Sequence, residues 1–352
     1  MATLAAACGR GSPADGTGTG REGGAGTAGS SGQEAATPLD GRLRLGYLPN
    51  VTHAPALVGV QGGYFTTALG PGVDLELTTF NSGTEVIEAL FSGAVDASFV
   101  GPNPAINGFA QSDGEALRIV AGTTSGGAAL VVRDGIDAPA DLKGTTLASP
   151  SLGNTQDVAL RAWLKDQGLT ADTEGGGDVS VRPQENADTL AAFLDGAIDG
   201  AWVPEPWATR LIREGDGHTL VDERTLWDGG LFVTTHLVVS TELLDGHPDL
   251  VEALLGGLLD SLAAIRADPD AARTATNDGI EAVTGKRLED EIIAGAWENL
   301  TFTSDPIAAS LEGSKDDAVA VGLLEPVDLD GIYDLGPLNT VLAARGLPTL
   351  SS

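Results

Sequence analysis

Four short loops carry the side chains whose chemistry is most informative in this sequence. They lie at residues 49–53, 81–84, 101–104 and 149–155, and they consist of small, hydroxylated, amide, glycine and proline residues with almost no charge. A helix N-terminus presents free N–H groups and a partial positive charge, so it can hold an anion without a lysine or arginine. The loops therefore predict a neutral, polar site for a small anion.

Two of these loops contain candidate helix caps. Ser82 can cap a helix over residues 84–91, and Glu85 three positions later can complete a capping box. Asn154 or Thr155 can begin the helix that runs to Gln167. An ordinary cap is the simpler interpretation of any single loop, but several capped loops at the same place in repeated units favour a binding site.

Two titratable side chains are further candidates. Glu205 lies between two prolines and could contact an amine of a ligand, face a partner protein or simply be solvated. His53 lies in the first loop and could donate a hydrogen bond to an anion, although a lone histidine is a signal of low specificity.

The roles expected for other conspicuous residues are structural. Trp202, Trp207 and Trp227 could line a cleft for an alkyl or aromatic group, although core packing is the usual role of tryptophan. Asp96 and Asp199 each precede a strand, where we expect a turn residue that bonds its own backbone rather than a catalytic group.

The sequence lacks the common signatures of catalysis and of metal binding. It contains no Gly-x-Ser-x-Gly motif, no Walker loop and no carboxylate pair whose spacing would bring the two groups together. The four histidines are scattered, and the single cysteine, Cys8, excludes an intrachain disulfide. We therefore expect no catalytic residue, no metal and no cofactor.

The elements that must position the loops occur twice. Two segments match at an offset of 103 positions, which pairs Gly93 with Gly196, Ala94 with Ala197, Asp96 with Asp199 and Val100 with Val203. In each unit strands alternate with helices, and Gly63 and Gly168, the second after a helix over residues 156–167, fit the left-handed residue that ends a helix. Such units predict two α/β lobes with mainly parallel sheets, whose loops at the carboxyl ends of the strands face one cleft.

The overall charge and the N-terminal segment limit the classes of partner. The 352 residues include 50 acidic and 19 basic side chains, and the formal net charge of −31 argues against nucleic acid or anionic lipid as a partner. Residues 1–8 resemble the end of a bacterial lipoprotein signal, in which Cys8 would carry the lipid anchor. Residues 9–41 have the composition of a flexible Gly/Ser/Thr tether. We expect an extracytoplasmic protein, lipid-anchored to the outer face of the cell membrane.

Five segments together resemble the nitrate-, sulfonate- and taurine-binding (aliphatic sulfonate) proteins of ABC importers. They are RLGYLPNVTHAP from residue 44, GTEVIEAL from residue 83, GAVDASFVG from residue 93, GNTQDVAL from residue 153 and VPEPW from residue 203. The resemblance covers residues 42–350. It implies a type II periplasmic-binding-protein fold, in which two α/β lobes with mixed, mostly parallel sheets are joined by a hinge of two crossovers, near residues 123–130 and 226–236. Lobe one would comprise residues 42–126 plus 232–350, and lobe two residues 127–231.

The resemblance also implies a function. The chain would bind a small anion, such as a sulfonate, taurine or a nitrate-like ligand, and deliver it as a monomer to an ABC permease in the membrane. Alternatives are a thiamine-pyrimidine-precursor binding protein or synthase-like enzyme on the same scaffold, in which His53 would be the residue to suspect, and a sensor subunit for a membrane kinase. The loops contain no arginine that could clamp a sulfonate. The implied ligand-binding residues are Asn50, His53, Ser82, Gly83, Thr84, Pro102, Asn103, Thr124, Ser125, Gly153, Asn154, Thr155 and Glu205.

Overall fold

The structure, a computed structural model, describes residues 41–351. The strands of this part of the chain are β1 (Arg42–Tyr47), β2 (Asp74–Thr79), β3 (Ala97–Val100), β4 (Leu117–Gly126), β5 (Ala128–Val132), β6 (Thr146–Ser149), β7 (Ser180–Pro183), β8 (Gly200–Pro204), β9 (His218–Asp222), β10 (Val233–Ser240) and β11 (Leu300–Phe302). The helices are α1 (Ala54–Gln61), α2 (Tyr64–Leu69), α3 (Gly83–Phe91), α4 (Pro102–Gln111), α5 (Thr155–Asp166), α6 (Asn186–Leu194), α7 (Trp207–Gly215), α8 (Thr241–Gly246), α9 (Pro248–Ala267), α10 (Pro269–Thr284), α11 (Asp290–Glu298), α12 (Ala308–Ala320) and α13 (Gly336–Ala344).

The strands form two sheets that repeat one topology. The first sheet has the order β11-β4-β10-β3-β1-β2, and the second has the order β7-β6-β8-β5-β9. In the first sheet β1 is parallel to β2 and β3, while β10 is antiparallel to β3 and β4. In the second, β6 is parallel to β7 and β8, while β5 is antiparallel to β8 and β9. The predicted fold class, two α/β lobes with mixed sheets, is confirmed.

Two aspartates anchor the same strand pair in both sheets. The Asp96 carboxylate accepts a hydrogen bond from the backbone N–H of Arg44 at 2.8 Å, and the Asp199 carboxylate accepts one from the N–H of Thr146 at 2.7 Å. The expectation that each would bond its own turn was wrong, because each carboxylate reaches the adjacent parallel strand, β1 or β6. Both residues are therefore structural, and the internal repeat extends to these hydrogen bonds.

The two sheets are joined by two crossovers of the chain. β4 leads into β5 through Gly127, and both Gly126 and Gly127 have positive φ, +79° and +73°. The return path runs from β9 through two 3-10 turns, Glu223–Leu226 and Asp228–Gly230, into β10. Both paths lie where the resemblance implied the hinge. We propose the boundaries 42–126 plus 232–350 and 127–231 for the two lobes.

Each sheet has its own apolar core. The predicted helix over 248–267 is α9, and on its leucine stripe Leu254, Leu258 and Leu262 are fully buried against the first sheet, whereas Leu250 is partly buried. In the second lobe Trp202 is fully buried, with its ring 6.0 Å from that of Trp163. Core packing is therefore the role of Trp202.

Helix ends agree with the sequence to within a residue. Gly63 and Gly168 have φ of +65° and +72°, as expected for residues that end a helix. α3 begins at Gly83 and α5 at Thr155, each one residue before the predicted start. Gly41, the last residue of the predicted tether, accepts a hydrogen bond from the N–H of Asp74 and leads into β1. The predicted signal remnant, Cys8 and the rest of the tether lie outside the described residues.

Within residues 41–351, no helix is both long enough and apolar enough to cross a membrane.

Candidate ligand-binding cleft

A small polar cavity lies between the two lobes at the carboxyl ends of the strands. Its volume is about 40 Å³, room for about three water-sized groups. We call it the head cavity. Of the residues implied as ligand-binding, it is lined by Asn50, His53, Ser82, Gly83, Asn154 and Thr155.

The first turn of α3 provides one wall. The Ser82 hydroxyl accepts a hydrogen bond from the N–H of Glu85 at 3.4 Å, which confirms the predicted cap. The Glu85 carboxylate accepts the N–H of Asn81, one residue before the position expected in a capping box. A Cβ at Gly83 would lie 2.4 Å from the Pro104 ring, so glycine lets the start of α3 approach α4 closely. The first N–H groups of α3 have no partner within the helix and remain available for a ligand.

The first turn of α5 provides the opposite wall. The Asn154 side chain accepts a hydrogen bond from the N–H of Asp157 at 3.1 Å, as a cap should. The buried Asp157 carboxylate accepts hydrogen bonds from Gly153 N–H at 2.9 Å and Arg161 Nε at 3.1 Å, and Arg161 balances its charge. The N–H groups of Thr155 and Gln156 have no partner within α5. Both residues line the head cavity, which gives it donors and the positive end of a helix dipole.

His53 is held in the form of a neutral donor. The ring is buried, and its Nδ1 accepts the N–H of Leu48 at 3.4 Å. Burial lowers the pKa of His53 to about 3, so the ring is neutral at physiological pH and carries its proton on Nε2. This state matches the predicted role of a hydrogen-bond donor, without a full positive charge.

Amide side chains complete the polar lining. Asn50 accepts a hydrogen bond from Trp207 Nε1 at 3.1 Å, a contact between the two lobes. Asn186, at the start of α6, lines the cavity and has a buried side-chain oxygen that lacks a partner among the described residues. Asn186 was missed at the level of sequence. The 103-position offset would have found it, because it pairs Gly83 with Asn186.

Other lining residues were also outside the predicted set. They are Leu48, Thr52, Asn81, Gly101, Pro104, Pro150, Gln156, Pro204 and Thr234. Among the described residues that form the wall, none is a lysine or arginine. The cavity therefore offers backbone N–H groups, amides and hydroxyls to an anion, as the loop composition predicted.

Apart from Glu205, which is described below, six of the residues implied as ligand-binding do not line the head cavity. Asn103 donates to the Ser314 carbonyl at 3.1 Å, and the Gly153 carbonyl accepts a hydrogen bond from Asn107 at 3.2 Å, across the lobes. The others are Thr84, exposed on α3, Pro102, buried at the start of α4, and Thr124 and Ser125, buried within β4. Ligand contact by these six stays a prediction.

Glu205 lies at the hinge, beside a separate cavity of about 40 Å³. Its carboxylate is buried and accepts hydrogen bonds from Thr209 Oγ1 at 2.9 Å, Thr209 N at 3.1 Å and Asn299 Nδ2 at 2.7 Å. Burial raises the pKa of Glu205 despite these donors. Of the three alternatives for Glu205, the one in which the side chain is simply solvated was wrong, because the residue is buried. The side chain instead caps α7 and links the two lobes through Asn299.

The repeated sheets, the paired crossovers and the cavity at the strand ends define a two-lobed protein of the periplasmic-binding class. The chain belongs to the NMT1-like family, whose family model matches residues 36–277.

Individual relatives agree with this assignment. The chain is 30% identical over 216 residues to the taurine-binding periplasmic protein of Escherichia coli (strain K12); the match covers 61% of this chain and 64% of that protein. It thus spans just under two thirds of that relative's length. The alkanesulfonate-binding protein SsuA of Xanthomonas axonopodis pv. citri, solved with MOPS, has a TM-score of 0.67 at 21% identity, covering 81% of this chain and 95% of that one.

A second solved structure shows the same fold. The periplasmic nitrate-binding protein NrtA of Synechocystis PCC 6803 superposes with a TM-score of 0.71 at 16% identity, covering 88% of this chain and 90% of that one. The resemblance stated from the sequence motifs is thereby confirmed, as is the type II periplasmic-binding fold.

Proposed function

We propose that this chain is the extracytoplasmic solute-binding protein of an ABC importer, and that it binds a small anion of the sulfonate, taurine or nitrate type in the head cavity. The observation that carries the proposal is the convergence of two helix N-termini, from α3 in one lobe and α5 in the other, on one cavity. Opposed helix N-termini favour an anion over a cation or a neutral solute.

The available donors are sufficient for useful affinity. A micromolar dissociation constant corresponds to about 8 kcal/mol. Hydrogen bonds to a charged group contribute roughly 1.5–3 kcal/mol each. The N–H groups of α3 and α5 together with His53 Nε2 can supply several such bonds. A neutral lining also avoids a free-energy penalty in the unliganded protein, because the empty cavity contains no buried cation without a partner.

Transport follows from the two-crossover hinge. A ligand that bonds to both lobes stabilises the closed arrangement, and the closed form is what a permease would recognise. We propose that the chain acts as a monomer, and that lipidated Cys8 with its tether holds it near the membrane. The relatives and solved structures named above are described as binding proteins, which supports a receptor over an enzyme. A His53 pKa near 3 also makes this ring a weak general base.

Thermal unfolding with a panel of anions tests the proposal. Taurine, ethanesulfonate, nitrate and bicarbonate are each added at 1 mM, with sodium chloride as the control for ionic strength. A ligand present at a thousand times its Kd stabilises the fold by about 4 kcal/mol, which raises Tm by several degrees. Absence of a shift with every anion would overturn the proposal.

A further inference from the structure

The head cavity opens into a much larger groove. This second cavity has a volume of about 500 Å³ and shares Leu48, Asn50, Asn81 and Asn186 with the head cavity. We call it the tail groove. A ligand whose charged group occupies the head cavity can therefore extend into the tail groove without leaving the cleft.

Apolar side chains from both lobes line the tail groove. In lobe two, Leu190 and Leu194 of α6 and Trp207 of α7 form one side, and Phe80 and Leu288 of lobe one form the other. Leu194 is 49% exposed and lines the groove, so part of its apolar surface is available to a ligand. The groove is thus mainly apolar and continues directly from a polar site, although its wall also includes the charged residues Glu185, Arg210, Glu214 and Lys286.

Trp207 lines the tail groove and is bonded to a residue of the head cavity. Its indole N–H is bound to Asn50, which lines both cavities, and the guanidinium of Arg210 lies 4.8 Å from the ring centroid. The indole is therefore fixed in orientation, with Arg210 against one face of its ring. Arg210 is neutralised by Glu214 at 2.6 Å, so its charge does not select a second anionic group.

The two volumes set the shape of the ligand. A cavity of about 40 Å³ accommodates an oxoanion group and little more, whereas 500 Å³ is within the range of sites for drug-sized molecules, about 300–1,000 Å³. A two-carbon tail such as that of taurine would leave most of the tail groove to water. Burial of a larger apolar tail would displace that water and cover Leu194.

We infer that the preferred ligand is an amphipathic organic anion, with its oxoanion group in the head cavity and a bulky aromatic or long alkyl tail in the tail groove. This inference rests on the proposed function, and it identifies the class of ligand that the same cleft selects. The tail groove provides the selectivity, and the head cavity is common to short and long ligands.

Calorimetric titration with two sulfonates that differ only in their tails tests the inference. Naphthalene-2-sulfonate is compared with ethanesulfonate on the full chain. The wild type is expected to bind naphthalene-2-sulfonate at least tenfold more tightly. Equal affinity, or tighter binding of ethanesulfonate, would overturn the inference while leaving the proposed function in place. Failure of both sulfonates, taurine and nitrate to bind would instead overturn the proposed function.

A variant that partly fills the tail groove tests whether the apolar tail of the ligand binds there. Ala191 is exposed on α6 and lines the groove, so Ala191→Trp narrows it without touching the head cavity. Naphthalene-2-sulfonate should lose at least tenfold in affinity, whereas ethanesulfonate should change by less than twofold. Ala263→Trp, an exposed position within α9 that does not line the groove, is the matched control and should bind both as the wild type does.

The variant also separates other occupants of the groove. If Ala191→Trp binds both sulfonates as tightly as the wild type, the groove is not part of the ligand site and is left for a protein partner, which overturns the inference. Thermal unfolding of both tryptophan variants, without ligand, verifies that each is folded.

Discussion

At the scale of single residues, the head cavity depends on caps that each use one helical N–H and leave others free. Asn154 accepts the N–H of Asp157, the third residue of α5, and the first two N–H groups remain for a ligand. His53 adds a neutral donor, because burial lowers its pKa to about 3. Selectivity for an anion therefore comes from aligned dipoles rather than from a cationic side chain.

Asn154→Asp tests this electrostatic origin of binding. Aspartate caps a helix about as well as asparagine, so the stability of the fold should change little. A carboxylate beside the anion costs a few kcal/mol even at an effective dielectric constant of about 20, so affinity should fall at least about tenfold. Calorimetric titration measures the loss. Asp268→Asn, at the remote cap of α10, is the matched control. Unchanged affinity in Asn154→Asp would mean that the anion does not approach α5.

Glu223 at the hinge has a predictable pH dependence. Burial raises its pKa to about 7, although Trp202 Nε1 donates a hydrogen bond to it at 2.7 Å. Because the folded pKa is higher than the unfolded one, the ionised Glu223 carboxylate destabilises the fold above pH 7. This penalty in the free energy of unfolding disappears as pH falls toward 4.5. Buried His53 and His236 act in the opposite direction, because their pKa values are lowered to about 3 and about 4.

A comparison of wild type with Glu223→Gln isolates the carboxylate from the histidines. Glutamine retains an acceptor for Trp202 but has no charge, so the variant should gain stability relative to wild type as pH rises from 5 to 8. The gain should approach about 3 kcal/mol. Chemical denaturation at each pH measures the difference. A difference that does not vary with pH would contradict the assigned pKa.

At the scale of elements, the sequence predicted the parts of the cleft that repeat and missed those that depend on tertiary contact. The offset of 103 positions, the caps Ser82 and Asn154, and the stripe on α9 depend on local spacing, so sequence suffices. The buried position of Glu205 depends on Asn299, 94 residues later, and no local pattern indicates that contact. Asp96 likewise bonds across strands to Arg44.

The first crossover should tolerate side chains poorly. Gly126 has φ of +79°, and a Cβ there would lie 2.7 Å from the Asn299 carbonyl oxygen. Gly93 has φ of +67° with nothing within 4 Å of such a Cβ. Gly126→Ala and Gly93→Ala should each lower the free energy of unfolding by about 1–2 kcal/mol, because alanine is disfavoured in the left-handed backbone conformation. Gly126→Ala should lose more stability than Gly93→Ala because of the additional backbone clash. Denaturant unfolding compares them, and equal losses would show that the crossover can relax.

At the scale of the whole molecule, like charges meet where the lobes contact each other away from the cleft. α12 of lobe one packs against α5 of lobe two, and Lys165 donates to the Ala320 carbonyl at 2.5 Å. Burial, together with repulsion from Asp166 and Asp316, raises the pKa of Asp317 on α12 to about 6. We therefore expect the ionised form of Asp317 to oppose contact between the lobes, and the closed arrangement to become more favourable as pH falls through about 6.

Asp317→Asn should make the closed form more favourable at neutral pH. Because ligand affinity depends on the population of the closed form, affinity at pH 7.5 should increase roughly threefold to tenfold. Wild type and variant should converge at pH 5, where Asp317 is protonated. The control is Asp249→Asn, an exposed residue in the first turn of α9 that does not contribute to the pKa of Asp317, and it should leave affinity unchanged. Titration of an anion at both pH values measures the effect. An equal gain in the control, or one independent of pH, would show that Asp317 does not influence closure.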